Sequence, residues 1–289
     1  MLIIVGVIVV FGCVAGGFAM HHGPFGVLWQ PSEFVIIGGA ALGSMIIMAP
    51  GHVLKEILHG LIGLLKGKSG GKAQMLGLLA TLFHLVKVGS YQGSNGLEPH
   101  VENPESSDII SKNHDLVHDH HVIEFLCDTL KVIIIGGVPE HQIAELTDMS
   151  LDVHSEEAHH PPAVLTKIAD SLPGMGIVAA VLGIIITMQH IDGEPAEIGH
   201  SVAAALVGTF LGILMAYGVI GPLASKLEFA SHETHFKLNA VRGCVLAYAR
   251  GLHPLLCAEF GRRALPSHLR PSFSELEAAC RDGASVEAA

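Results

Sequence analysis

The sequence predicts an all-α integral membrane protein. It has four transmembrane helices, and a helical cytoplasmic domain is formed by the long loop between spans two and three together with the C-terminal tail. Three observations predict this. Four stretches, Leu2–Met20, 34–50, 172–188 and 201–223, are long, apolar and free of Asp, Glu, Lys and Arg, and a helix needs about 20 mostly apolar residues, about 17 at the least, to cross hydrocarbon. The 289-residue chain is 50% hydrophobic and only 15% charged, whereas soluble domains carry about 25% charged residues. Finally, all 16 Lys and Arg fall on one side of the four-span layout.

The first span, residues 2–20, lacks a basic leading segment and is too long for a signal-peptide core, so it reads as a retained anchor. The outer linker that follows, 21–33, holds no Lys or Arg. It carries Pro24, Phe25, Pro31 and Trp29, the sole Trp, where an interfacial aromatic belongs. The second outer linker, 189–200, is short and acidic (Asp192, Glu194, Glu197). The positive-inside rule then places both termini and the middle loop in the cytoplasm, with Lys55, Lys66, Lys68, Lys226 and Lys237 near the helix ends carrying the argument. The implied division is 1–50 (spans one and two), 51–171 (cytoplasmic helical domain), 172–223 (spans three and four) and 224–289 (helical extension and tail).

The middle loop is helical in pattern. Leu54, Ile57, Leu58, Leu61, Ile62 and Leu65 make an amphipathic helix next to the membrane. Lys68-Ser69-Gly70-Gly71 breaks it, and a second helix runs from about 73 to 88. The run Gly89 to Gly96 reads as a turn-rich break. Residues 123–135 are apolar but contain Glu124, Asp128 and Lys131, so they predict a buried cytoplasmic helix that Gly136-Gly137-Val138-Pro139 ends. Residues 139–152 form one more amphipathic helix, and 224–250 continue the fourth span in helical pattern; together these two predict a stalk. In the tail, Ser272 and Glu275 have capping-box spacing, and 283–289 read as disordered.

Within the membrane, Pro173 opens the third span, where a proline at the first helical position needs no further role. Pro222, near the inner end of the fourth, frees the carbonyl of Gly218 and predicts a kink or hinge with Gly218 and Gly221. Gly12/Gly16, Gly39/Gly43 and Gly208/Gly212 have the spacing that lets helix backbones touch. Thr187, Thr209 and Tyr217 are polar groups left inside spans three and four. A hydrogen bond to a helix carbonyl suffices for them, although Thr209 beside Gly208 could touch a guest helix. No span contains a carboxylate, so if the chain handles an ion, a partner must bring the charge.

Several functions are disfavoured. A net charge of −11 argues against nucleic acid. The five Cys are scattered without a C-x-x-C and read as free thiols. Nucleotide and hydrolase signatures are absent, so no enzyme is expected. Among 20 His, His114, His118 and His121 fall at i, i+4, i+7, with Glu124 and Cys127 near. One helix face would present three imidazoles, but ligands must converge tetrahedrally to hold zinc; solvated histidines are the default, and no metal or cofactor is expected.

Long runs resemble the MotA family, the A subunits of the bacterial flagellar stator. Residues 170–183 (DSLPGMGIVAAVLG) look like that family's third span, and 207–218 (VGTFLGILMAYG) followed by Gly221-Pro222-Leu223-Ala224 look like its fourth. Glu102-Asn103-Pro104, Glu259-Phe260-Gly261-Arg262 and Arg270-Pro271-Ser272-Phe273 match as well. The resemblance implies a multi-pass protein of the bacterial inner membrane. Five copies surround the single spans of two MotB-type, peptidoglycan-binding partners, and proton passage at the partner's Asp drives the ring against the rotor protein FliG. It implies that Pro173 and Pro222 couple ion binding to conformation, and that Thr209 and Tyr217 line the partner helices. Ala180, at a position where sodium-driven relatives have Thr, implies protons. Glu98 matches the acidic rotor contact. Ser90 stands where the family has a basic one, and Lys87, one turn earlier, is the candidate substitute. An energiser of the ExbB/TolQ type is the alternative; its three spans and external N-terminus fit less well.

Overall fold

The computed structural model describes residues 2–65, 71–189, 192 and 194–282. Lys66, Lys68, the break at 68–70 and the tail 283–289 lie outside the described residues. All regular structure among the described residues is helical: α1 (Leu2–Met20), α2 (Phe25–Leu28), α3 (Pro31–Met48), α4 (Gly51–Leu65), α5 (Lys72–Gln92), α6 (Glu98–Glu102), α7 (His114–Val117), α8 (His120–Ile135), α9 (Glu140–Met188), α10 (Pro195–Met215), α11 (Gly221–Ala249), α12 (Pro254–Ala264) and α13 (Phe273–Asp282), with a π turn at Ala216–Ile220. The chain forms two compact units, residues 1–68 with 158–229 and residues 69–157 with 230–289.

The first unit is built from apolar helices whose outer faces stay bare. α1 buries none of its 19 residues, and Leu2, Ile4, Val5, Ile8 and Val9 are all exposed. Such a surface suits hydrocarbon, where lipid tails are as apolar as the side chains. One core joins Ile37 and Ala41 of α3 to Ile168, Leu172 and Ala179 of α9 and to Val207 and Leu211 of α10. A second joins Val53 and Ile57 of α4 to Leu165, Ala224 and Leu227. The α4 helix is thereby the amphipathic element the leucine spacing predicts.

The second unit packs as a water-soluble core does. α5 buries Met75, Leu78, Leu79, Leu82, Leu85 and Val86. Part of this set meets Ala240, Ala258, Leu265 and Leu276; the rest meets Val122, Leu126, Leu130, Val241 and Val245. The predicted stalk is present here: Glu140 pairs with Arg250 and Asp148 with Arg242. Both pairs keep one antiparallel register between α9 and α11, with rungs eight residues or about 12 Å apart. In the tail Ser272 N–H donates to Glu275 Oε2 at 2.6 Å and Glu275 N–H donates to Ser272 Oγ at 3.2 Å, a complete capping box. Arg262 donates to the carbonyl of Pro271 at 2.8 Å, which ties these two segments of the tail together.

Three expectations need correction. α5 continues through Gly89 and Ser90 to Gln92, and the break comes at Gly93, whose φ of +79° ends the helix. Gly89 is instead a packing position, where a β-carbon would collide with the Tyr248 hydroxyl. The helix predicted at 139–152 does not stop; α9 runs 49 residues to Met188, with Pro161, Pro162 and Pro173 inside it. Pro173 is therefore not a first-turn proline. Composition changes from amphipathic to wholly apolar at Leu172, but that change marks a change of environment rather than a helix end.

Five helices are long and apolar enough to cross a membrane, by length and composition, among the described residues. α5 is the fifth, and 56% of its most apolar stretch is buried against at most 33% for the others. Its apolarity is used up in a protein core.

Candidate functional site

The candidate site starts from atoms that are missing. Where α9 and α10 cross, a β-carbon on Gly176 would lie 2.7 Å from the Gly208 carbonyl oxygen and 3.2 Å from Thr209 Cα. One on Gly212 would lie 2.6 Å from the Leu172 carbonyl oxygen. About two turns further along α9, a β-carbon on Gly183 would sit 2.7 Å from Ala205 Cβ. The two helices therefore lie in close backbone contact over about three turns, as small residues in membranes permit. Of the three small-residue pairs in the sequence, Gly208/Gly212 makes this contact. Gly12, Gly16, Gly39 and Gly43 have nothing within 4 Å of an added β-carbon.

Both singled-out prolines border this seam. Pro173 is half-buried inside α9, three residues before Gly176. It removes the donor for the Ala169 carbonyl, and Ser171 Oγ donates to the neighbouring Ile168 carbonyl at 2.8 Å. On the other strand of the seam, the helix is wound as a π turn over Ala216–Ile220 immediately before Gly221 and Pro222. A π turn is how a helix absorbs an interrupted i→i−4 ladder. The expected kink is thus a change of winding that holds Tyr217 and Gly218 within it. Tyr217 is 70% exposed, and Thr209, eight residues earlier, is half-buried. Thr187 donates to the Gly183 carbonyl of its own helix at 2.9 Å. Ala180 is buried, with Ala179 beside it fully so.

The residues that the resemblance offers as a rotor contact lie in the second unit. Lys87 and Ser90 are exposed on α5, three residues apart and so on neighbouring turns of one face. Glu98 is exposed in the first turn of α6, just after the chain reverses at Gly93. Burial pushes His84 below the usual imidazole range, with Lys87 and Lys112 adding to the shift.

The histidine trio does not share a helix face. α7 ends at Val117, His118 is its C-cap, and Asp119 caps a new helix by accepting from Val122 N–H. His114 and His118 meet ring to ring, with Nε2 atoms 3.2 Å apart, whereas His121 packs on His154 of α9. Among the described residues no three His, Cys, Asp or Glu converge to hold a metal ion.

One residue escaped the sequence reading. Glu33 lies in the first turn of α3, inside the second apolar helix, and is 5% exposed. Its Oε2 is buried without a hydrogen-bond partner. The expectation of spans without a carboxylate is therefore wrong for this helix. Starting the span at residue 34 excluded Glu33 by one position. Pro31 at the first helical position with an acid in the first turn is a helix-start signal that points to the observed boundary.

The chain is similar to known proteins over nearly its whole length. Residues 4–93 match the family described as Motility protein A N-terminal, and residues 118–239 match the MotA/TolQ/ExbB proton channel family. The chain is 41% identical to Motility protein A of Escherichia coli and 40% to that of Salmonella typhimurium, each over 96% of this chain and 94% of the relative. It is 37% identical to Chemotaxis protein LafT of Vibrio parahaemolyticus, over 94% of this chain and 95% of that one. The fold is similar to a chain of the C. jejuni MotAB structure, with a TM-score of 0.75 and 18% identity over 92% of this chain and 95% of that one. It is also similar to a chain of the Bacillus subtilis flagellar MotAB stator complex, with a TM-score of 0.72 and 22% identity over 96% and 98%.

Proposed function

The chain belongs to the motility protein A family, the A subunits of the flagellar motor stator, and we propose that it converts proton flow at a partner subunit's carboxyl group into torque on the rotor. It is a membrane protein of the motor rather than an enzyme. Four helical segments cross the inner membrane in this reading: α1, α3, the end of α9, and α10 with its π turn. α5 is left out because its apolar side chains form the core of the second unit. That unit lies in the cytoplasm with both termini, on the strength of the one-sided Lys and Arg distribution.

The observation that carries the mechanism is the glycine seam bordered by Pro173 and the Pro222 π turn. Two helices in backbone contact form a stiff unit, and a proline or π turn at each side is where such a unit changes angle. A MotB-type partner, as in both similar MotAB structures, supplies the titrating Asp and the anchor to peptidoglycan. Its helix runs against the face bearing Thr209 and Tyr217, with Ala180 behind it in place of a cation-coordinating hydroxyl. Five copies around two partner helices, by the family resemblance, turn as the Asp gains and loses a proton, and Lys87 and Glu98 meet FliG. The N-terminal match over residues 4–93 favours this over an ExbB/TolQ-type energiser.

The experiment is complementation of a stator-deleted strain with this chain and its partner, scoring swimming speed under a proton uncoupler and, separately, under sodium depletion. Swimming abolished by the uncoupler and unaffected by sodium removal supports the reading. Dependence on sodium overturns the proton, and failure to restore swimming with any partner overturns the stator role.

A further inference from the structure

We propose that Glu33 is a proton-binding group of the membrane bundle, a second exchangeable carboxyl that this chain contributes beside the partner's Asp. The proposal deepens the stator reading and rests on it for the direction of proton flow. Its physical basis is the setting of the side chain. Glu33 projects from α3 into the junction of α3, α9 and α10. There Gly208 leaves the space it fills: a β-carbon on Gly208 would collide with Oε2 and would lie 3.0 Å from Ala179 Cβ. The carboxyl group is therefore seated at the seam itself, one residue from Thr209.

Among the described residues no Lys or Arg stands near it. The chain has no Lys or Arg between Met1 and Leu54 or between Ile168 and Ser225, so none of the membrane helices offers a permanent counter-charge. The titratable groups on the surrounding elements also lie away from it. α9 has none between Asp170 and its end, and α2 has none. On α10, Glu197 and His200 are exposed and stand eleven and eight residues before Gly208, about 16 and 12 Å along the axis. Cys13 on α1, His21, His22 and Asp192 are exposed, and His52, Lys55, Glu56 and His59 belong to α4, beyond the far end of α3. A carboxylate buried without a cation or donor is costly, and the group lowers that cost by holding a proton. An ionisable group inside a membrane helix marks a functional site, and proton relays are among the roles such acids serve.

The step is a simple exchange. The neutral Glu33 carboxyl loses its proton inward, toward the partner's Asp carboxylate, and the resulting carboxylate takes one from hydronium in the outer solution, leaving water, on the side where the first turn of α3 begins. Charge and protons balance over the cycle, and no other reactant is needed.

Two measurements test it on the complete stator complex. The first is the low-load rotation rate of Glu33→Gln and Glu33→Asp across external pH. Glu33→Gln keeps shape and polarity but cannot exchange a proton. It is expected to assemble normally, to rotate several-fold more slowly and to lose part of the external-pH dependence, while Glu33→Asp recovers much of both. Wild-type speed and pH profile in Glu33→Gln overturn the proposal. If Glu33→Gln fails to accumulate in membranes, Glu33→Asp decides: an altered pH profile supports exchange at this site and an unaltered one overturns it. The second is the infrared spectrum of the purified complex. A protonated-carboxyl band that responds to pH and disappears in Glu33→Gln is expected, and an unchanged band pattern overturns the assignment. This readout needs no motility, so it remains decisive even if the stator reading itself fails.

Discussion

Atoms that are absent at the α9–α10 seam decide how close the helices lie. The 2.7 Å approach at Gly176 is to a backbone oxygen, so no side chain can rotate away to relieve an added methyl group. Gly176→Ala is expected to force the helices apart at a cost of about 1–3 kcal/mol. The measurement is the yield of folded protein from membranes and its melting temperature in detergent. Gly39→Ala meets nothing within 4 Å and should leave both unchanged; equal losses at the two positions would show that the seam is not what holds these helices. The sequence offered three small-residue pairs of identical spacing, and only packing distinguishes the one in use.

Titrating residues of the second unit make a second prediction at this scale. The Arg262 guanidinium, with Arg263, holds the Glu259 carboxyl at about 2. Its folded value lies below the unfolded value of about 4.3, so it stabilises the fold fully above that range and the contribution is lost as pH falls toward 2. Burial, reinforced by His121 and His235 and opposed by Glu157 and Asp119, lowers His154 below the usual 6.5. A depressed imidazole likewise stabilises above its unfolded value and loses that contribution as pH falls. Acidification should therefore weaken the histidine region first and the Glu259 clamp later. His154→Gln is expected to flatten the fall in melting temperature between about pH 7 and pH 5, leaving the later loss in place. An unchanged slope would remove His154 from the acid response.

Among elements, the long α9 and the π turn before Pro222 show where one-dimensional reading stops. The capping box at Ser272 and Glu275, the stop at Gly136-Gly137 and the amphipathic α4 were legible because each depends on residues within one or two turns. The continuity of α9 through Pro161, Pro162 and Pro173 was not, because proline signals a break locally and only neighbouring helices decide whether the break occurs. For Glu33 the helix start was legible at Pro31, but its burial against Gly208, 175 residues away, was not. Pro222→Ala restores a donor and should let the π turn wind back to regular α-helix, moving Tyr217 on the exposed face. Both Pro222→Ala and Pro173→Ala are expected to leave the protein in the membrane with its partner while abolishing or sharply lowering torque. Swimming and membrane abundance, measured together, check this. Loss from the membrane would reduce both prolines to structural parts.

At the scale of the whole molecule, the proposed stator role asks the second unit to hand force to a rotor, and charge is its visible means. The 51–171 segment holds 16 acidic and eight basic residues, so an exposed Lys87 on α5 is a local exception on a negative surface. Charged groups at the rim of an interface steer encounter and fix register more than they add affinity, and an exposed pair contributes only about 0.2–1 kcal/mol. Single changes should therefore slow swimming rather than stop it. Lys87→Glu and Glu98→Lys, made separately, are each expected to reduce swimming speed without changing membrane abundance. The departure at Ser90 gives a sharper test, because Ser90 and Lys87 share a face one turn apart. If charge on that face is what matters, Lys87→Ala with Ser90→Lys moves it by about 5 Å along the helix and should recover much of the speed lost in Lys87→Ala alone. Normal swimming in Lys87→Glu would remove Lys87 from the rotor contact, and Glu98 would then have to find its basic counterpart elsewhere on the exposed face of this unit.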